Sequence, residues 1–94
     1  MPKKKLETGT YVQAKGQIWS QLAEEVVILN LSNSNYYGLN PVGASVWELL
    51  KQPATLASLE QKITEEYAVA PETARDDLTK LLKRMIEENL IEPC

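Results

Sequence analysis

The sequence contains no histidine, and this absence removes much of the common catalytic and metal-binding chemistry. Without an imidazole there is no Ser-His or Cys-His nucleophile pair and no general base whose ordinary pKa lies near neutrality. Nearly all zinc-site patterns are excluded for the same reason. The four glycines are scattered, so no glycine-rich phosphate loop is present. We therefore expect no catalytic activity, no metal site and no cofactor.

Cysteine and long hydrophobic segments are also scarce. Cys94 is the single cysteine, so no disulfide can form within the chain, which favours a reducing compartment. Residues 1–5 are basic, but no apolar segment follows them as a secretory signal requires. The longest aliphatic run, Val26–Leu29, is far shorter than the ~20 residues of a membrane span. We expect a cytoplasmic protein with no membrane partner.

Size and charge narrow the class of protein further. The chain has 94 residues, a formal net charge of -3 and an isoelectric point near 4.9, whereas nucleic-acid-binding proteins usually carry a basic surface. Its 44% apolar and 24% charged residues are ordinary for one folded domain with a modest core. Residues 1–13 are polar and charged, so we expect a flexible N-terminal tail followed by a single domain over residues 14–94.

Three short segments have the composition and alternation of β-strands: Ile18–Leu22, Val26–Leu31 and Tyr36–Leu39. Two glutamates at positions 24 and 25 separate the first two segments, and the turn-forming Ser32–Asn35 cluster separates the last two. Short turns between consecutive strands favour antiparallel pairing. The pattern therefore predicts a three-stranded antiparallel meander.

From Pro41 onward the apolar period changes from two residues to about 3.6, which predicts three helices. Asn40 is expected to cap the first helix with its side-chain oxygen, Thr55 to cap the second, and Pro71 to open the third. The apolar stripes are Val42, Val46, Leu49 and Leu50 with Trp47 beside them, then Leu56, Leu59, Ile63 and Tyr67, then Ala74, Leu78, Leu81, Leu82, Met85 and Ile86. Strands followed by helices indicate an α+β fold, winged helix-turn-helix-like, with a three-stranded antiparallel sheet followed by three helices.

The third strand and the third helix together predict a groove. No charged residue occurs from Leu31 to Gly43, so the third strand forms a sheet edge without the usual protection against pairing. On the third helix the apolar stripe widens toward Leu82 and Ile86, and this flank is bordered by polar and basic residues: Arg75, Thr79 and Lys83. Such a pair of walls suits an extended peptide that carries acidic residues.

Two plainer structures stay open at this point. The broad stripe can be an ordinary core face with solvated charges along its border. The N-terminal segment Thr10–Ala14 can cover the edge of the third strand.

The residues of the third strand and first helix resemble those of a known family. The run Tyr36–Ala44, with Val46–Leu50 after it and Val27–Leu31 before it, resembles PqqD-like proteins. These are the RiPP recognition elements, which bind the leader region of ribosomally made peptide precursors. The C-terminal part fits the same pattern at Asp77, Leu78, Leu81, Leu82, Met85, Leu90 and Ile91. The resemblance covers about Ile18 to Glu92 and is strongest to the stand-alone leader-binding subunit of the split lasso-peptide protease. One departure is Ala70, where the family often has a capping aspartate.

The resemblance implies a non-catalytic protein whose leader peptide pairs antiparallel with the third strand and rests against the third helix. The implied peptide-binding residues are Asn35, Tyr36, Tyr37, Gly38 and Leu39 on the strand and Arg75, Thr79, Leu82, Lys83 and Ile86 on the helix. The implied partners are the precursor leader peptide, a separate cysteine protease and, indirectly, a cyclase. The protein itself is expected to be a monomer or a weak dimer.

A winged-helix DNA-binding regulator is the alternative from a different class. The third helix offers basic residues at Arg75, Lys80, Lys83 and Arg84. Carboxylates that phosphate would repel stand among them: Asp76, Asp77, Glu87 and Glu88. A general adaptor that binds a folded partner through the same groove is a further alternative.

Overall fold

Strands and helices make up most of residues 9–94, the part of the chain that the computed structural model describes. The strands are β1 (Thr10–Gln13), β2 (Gln17–Leu22), β3 (Glu25–Asn30), β4 (Asn35–Leu39), β5 (Ala54–Thr55) and β6 (Ile91–Pro93). The helices are α1 (Pro41–Leu49), α2 (Leu56–Tyr67) and α3 (Pro71–Glu87). The strands form two three-stranded antiparallel sheets, in the orders β2-β3-β4 and β5-β1-β6. The predicted α+β class is confirmed. None of these helices is long and apolar enough to cross a membrane.

The β2-β3-β4 sheet is the predicted meander. Its central strand places Ile28 opposite Trp19 on one side and Tyr37 on the other. Alternate residues of β3 are buried, because a strand whose period is two turns one face to the core. Asn30 is buried with them, and its Nδ2 donates a hydrogen bond of 2.9 Å to the backbone oxygen of Glu88. This bond ties the sheet to the end of α3.

Side-chain caps start the first two helices, as predicted. Asn40 Oδ1 accepts a hydrogen bond of 2.8 Å from the backbone N–H three residues later. Thr55 and Ser58 satisfy each other's backbone N–H groups in a capping box. The third helix begins at Pro71, and Ala70 before it contributes no side-chain cap. Asn40 is the single residue between the end of β4 and the start of α1, so the direction of β4 is fixed relative to that helix.

The second sheet corrects the expectation of a flexible tail over residues 1–13. Thr10–Gln13 form β1, which is the central strand of the β5-β1-β6 sheet. Tyr11 on this strand is 4% exposed and belongs to the core. The expectation was wrong for these residues because their strand partners come from distant parts of the chain and leave no local pattern. The rest of the expected tail, residues 1–8, lies outside the described residues.

The core lies between the inner face of the β2-β3-β4 sheet and the helices. Its largest fully buried side chains are Trp47, Ile28, Leu50, Leu56, Leu59, Leu78, Leu82, Met85 and Val46. Trp47 meets Trp19 edge to face, with 6.1 Å between ring centroids, and Lys51 Nζ lies 5.1 Å from the Trp19 ring centroid. These contacts hold the sheet against α1. The position of β4 relative to α3 therefore follows from the packing of one common core.

Candidate functional site

The strand β4 has one paired edge and one open edge. It pairs with β3 over its whole length, from Val26 opposite Leu39 to Asn30 opposite Asn35. Within residues 9–94 no other strand pairs with β4, since β1 lies in the other sheet. The alternative in which Thr10–Ala14 cover this edge is therefore wrong. Because β4 also carries no charged residue, its edge can accept another strand.

The alternating backbone directions of an antiparallel sheet identify which groups face the open edge. The N–H of Leu31 donates to the C=O of Gly16 at 3.3 Å, so the Leu31 backbone points toward β2. Its neighbour Asn30 points the other way, toward the first residue of β4. By the same alternation, the backbone groups of Tyr36 and Gly38 point away from β3. These two residues therefore offer N–H donors and C=O acceptors to an added strand.

A groove of about 330 Å³ lies between β4 and α3, and we call it the β4–α3 groove. One wall is formed by Tyr37, Gly38, Leu39, Asn40, Val42 and Gly43, and the facing wall by Ala74, Asp77, Leu78, Leu81, Arg84 and Met85. The lining is completed by Ile63, Tyr67, Val69 and Leu90. Most of these side chains are apolar, and Asp77 and Arg84 are the charged residues among them. An extended peptide on the β4 edge would therefore lay alternate side chains into this groove.

Hydrogen bonds from two tyrosines show how the groove is oriented. The Tyr37 hydroxyl donates to Glu88 Oε1 at 2.6 Å, which places β4 beside the C-terminal end of α3. The Tyr67 hydroxyl, at the end of α2, donates to the backbone oxygen of Pro41 at 3.1 Å. Since Pro41 follows β4 and α2 leads into α3, the C-terminal end of β4 lies toward the start of α3. The strand β4 and the helix α3 therefore run in opposite directions along the groove.

The predicted site residues on the strand lie along the β4–α3 groove and at the open edge of β4. Tyr37, Gly38 and Leu39 line the β4–α3 groove. Tyr36 points to the outer face of the sheet and is 71% exposed, so its backbone rather than its side chain reaches the open edge. Asn35 begins β4, and its Nδ2 lies 3.5 Å from the Tyr37 hydroxyl. Peptide binding by these residues stays a prediction.

The helix half of the predicted site requires a correction. Leu82 is 0% exposed, packs in the core and is not among the residues that line the β4–α3 groove. Arg75 Nε donates to Glu60 Oε1 at 2.7 Å, which places this flank of α3 against α2 instead of β4. The other predicted helix residues share that flank by helical periodicity and do not line the β4–α3 groove: Thr79, Lys83 and Ile86. The α3 residues beside β4 lie on the opposite flank.

The sequence could not distinguish the two flanks because it does not show which neighbour packs on each side of the apolar stripe. The stripe does widen toward Leu82, but the cause is burial in the core. The groove flank has its own signal at Asp77, Leu81 and Arg84, which stand at positions i, i+4 and i+7 of one helix face. In the structure Leu81 is half-buried, and Asp77 and Arg84 on either side of it are exposed.

An open strand edge beside an apolar helix wall defines a class of protein, the small domains whose architecture suits strand addition by an extended peptide. Residues 25–91 match the family described as Coenzyme PQQ synthesis protein D (PqqD). The chain belongs to the PqqD family, which confirms its resemblance to PqqD-like RiPP recognition elements. The matched residues include every residue that lines the β4–α3 groove.

A solved structure of the same fold is TbiB1 in complex with the TbiA(beta) leader peptide. The two chains are 28% identical with a TM-score of 0.80, over 86% of this chain and 94% of the TbiB1 chain. A comparison with curated proteins finds no match.

Proposed function

We propose that the protein binds the leader segment of a ribosomally made peptide precursor in the β4–α3 groove. The leader adds to β4 as a further antiparallel strand and lies against α3. The observation that carries this proposal is the open edge at Tyr36 and Gly38, directly beside an apolar groove of about 330 Å³. The similarity to TbiB1, which forms a complex with a leader peptide, supports it.

The expected affinity follows from how such a complex forms. Backbone hydrogen bonds to the β4 edge give affinity for any extended segment, and the side chains that enter the groove give selectivity. A leader of about ten residues loses conformational entropy when it becomes ordered. We therefore expect a Kd in the micromolar to sub-micromolar range, about -8 to -10 kcal/mol.

The protein acts in this proposal as a carrier without chemistry of its own. It brings a precursor, of the lasso type that the family resemblance implies, to a separate cysteine protease and, indirectly, to a cyclase. The cytoplasm is the proposed compartment. A sequence without histidine supports a binding role, since the usual general base near neutral pH is missing.

The ion pairs of α3 weaken the alternative of a DNA-binding regulator. Arg75 is paired with Glu60, and Lys80 Nζ lies 3.5 Å from Asp76 Oδ2. Both basic side chains therefore have carboxylates beside them that would repel phosphate. A helix with these neighbours is poorly suited to lie along a phosphate backbone.

The proposed function is tested by titrating the protein with the fluorescein-labelled leader of the precursor encoded beside its gene, followed by fluorescence anisotropy. The matched controls are a scrambled leader and a labelled DNA duplex at low salt. We expect saturable binding of the leader and at least tenfold weaker binding of both controls. Equal affinity for the leader and its scrambled form would contradict the proposal, and tight, steeply salt-dependent duplex binding would favour the regulator.

A further inference from the structure

Asp77 and Arg84 are the charged residues that line the β4–α3 groove, and they lie on one face of α3. Both side chains are exposed, and neither takes part in the ion pairs found among residues 9–94. Leu81 stands between them on the same face. The groove therefore presents a negative charge, an apolar surface and a positive charge in sequence along its length.

A third charged residue near the groove, Glu88, already has a hydrogen-bond partner. Glu88 lies one turn beyond Arg84, and its Oε1 accepts the hydrogen bond of 2.6 Å from the Tyr37 hydroxyl. Glu88 does not line the groove. Asp77 and Arg84 are therefore the charges that a bound peptide meets first.

The direction of β4 fixes the direction of an added strand. Since β4 and α3 run in opposite directions, a segment antiparallel to β4 runs parallel to α3. Its N-terminal part then lies near Asp77 and its C-terminal part near Arg84. This step rests on the antiparallel strand addition of the proposed function.

The spacing of the charges fits alternate residues of a strand. Asp77 and Arg84 are separated by seven helical positions, or about 10.5 Å at ~1.5 Å per residue. Four residues of an extended strand span about 13 Å at ~3.3 Å each, and every second side chain lies on the same face. Long basic and acidic side chains bridge the small difference in length.

From this geometry we infer that the groove selects peptides by charge order. The preferred segment carries a basic residue, an apolar residue and an acidic residue at alternate positions, from its N-terminus to its C-terminus. The basic side chain meets Asp77, the apolar side chain meets Leu81, and the acidic side chain meets Arg84. The charges thus set both the direction and the register of the bound strand.

The test compares two synthetic peptides of about ten residues that differ only in exchanging a lysine and a glutamate on either side of a central leucine. Their Kd values are measured by fluorescence anisotropy on the full chain, at low salt and at high salt. We expect the lysine-first peptide to bind about threefold to tenfold more tightly at low salt, with the ratio approaching one at high salt.

A charge-exchanged variant, Asp77→Arg with Arg84→Asp, provides the matched control because it keeps the net charge of the protein. It should prefer the glutamate-first peptide, and circular dichroism should show an unchanged helix content. Equal affinities for the two peptides, or a preference that the exchange leaves unaltered, overturn the charge-order inference while peptide binding itself stands. A glutamate-first preference of the unmodified protein overturns the assigned direction. Failure of both peptides and of the natural leader to bind overturns the proposed function instead.

Discussion

Leu81 and Leu82 are neighbours in α3 with different surroundings, and the difference separates the groove from the core. Leu81 is half-buried and lines the β4–α3 groove. We expect Leu81→Asp to weaken leader binding at least tenfold, because a carboxylate on the apolar wall loses hydration when the peptide covers it. The control is Lys83→Asp, which places a carboxylate on the opposite flank and should leave the Kd within about twofold. Anisotropy titration of both folded variants measures the two Kd values. A larger loss of leader affinity in the Lys83 variant would show that the leader binds the flank of α3 that contains Lys83, as the sequence first predicted.

Leu82 belongs to the core, so its truncation should act on stability. We expect Leu82→Ala to lower the free energy of unfolding by about 2 to 5 kcal/mol, through lost transfer energy and the cavity left behind. Leu81→Ala should cost about 1 kcal/mol, since that side chain is partly in water already. Urea denaturation of the two variants measures the difference. Equal losses of stability would contradict the assignment of Leu82 to the core and Leu81 to the groove.

At the scale of single elements, β4 is tested through its open edge. A Cβ built at Gly38 meets no atom within 4 Å, so Gly38→Ala should leave stability nearly unchanged and keeps the backbone N–H, which makes it the control for the proline variant. Gly38→Pro removes the N–H that points to the open edge, and it should weaken leader binding about fivefold to tenfold while β3 keeps its pairing. Isothermal titration calorimetry on this matched pair isolates the backbone hydrogen bond. If the proline and alanine variants bind alike, the leader does not pair with this N–H.

The strand β1 is tested through Tyr11, its buried side chain. We expect Tyr11→Ala to lower the free energy of unfolding by about 3 kcal/mol, as for other large buried aromatic side chains. A chain whose residues up to 13 formed a flexible tail would tolerate the change without loss. The measurement is the urea midpoint of the variant against that of the unmodified protein.

The elements that could be predicted from the sequence are those with local causes. The β2-β3-β4 meander follows from alternation and turn residues, and the starts of α1 and α2 follow from the caps at Asn40 and Thr55. The β5-β1-β6 sheet could not be found in this way, since β1 pairs with segments far along the chain. The strand half of the groove followed from the absence of charge on β4. The helix half did not, because its position depends on which flank of α3 packs on α2.

At the scale of the whole molecule, the two sheets have separate roles. The β5-β1-β6 sheet joins the beginning and end of the described chain, where the Cys94 N–H donates to the Thr10 backbone oxygen at 3.0 Å. The β2-β3-β4 sheet leaves its β4 edge open. Because β1 is the central strand of the β5-β1-β6 sheet, no described segment of the chain is left to cover the edge of β4. This division leaves the β4 edge open to the external peptide of the proposed function.

Amide hydrogen exchange by NMR, with and without the leader peptide, tests this central claim most directly. In the free protein the N–H groups of Tyr37 and Leu39 are bonded to β3 and should exchange slowly, whereas those of Tyr36 and Gly38 should exchange fast. Leader binding should slow exchange at Tyr36 and Gly38, and leave the outer edge of β2 unchanged. Protection that appears on β2, or a saturated complex in which Tyr36 and Gly38 still exchange fast, would contradict strand addition at β4.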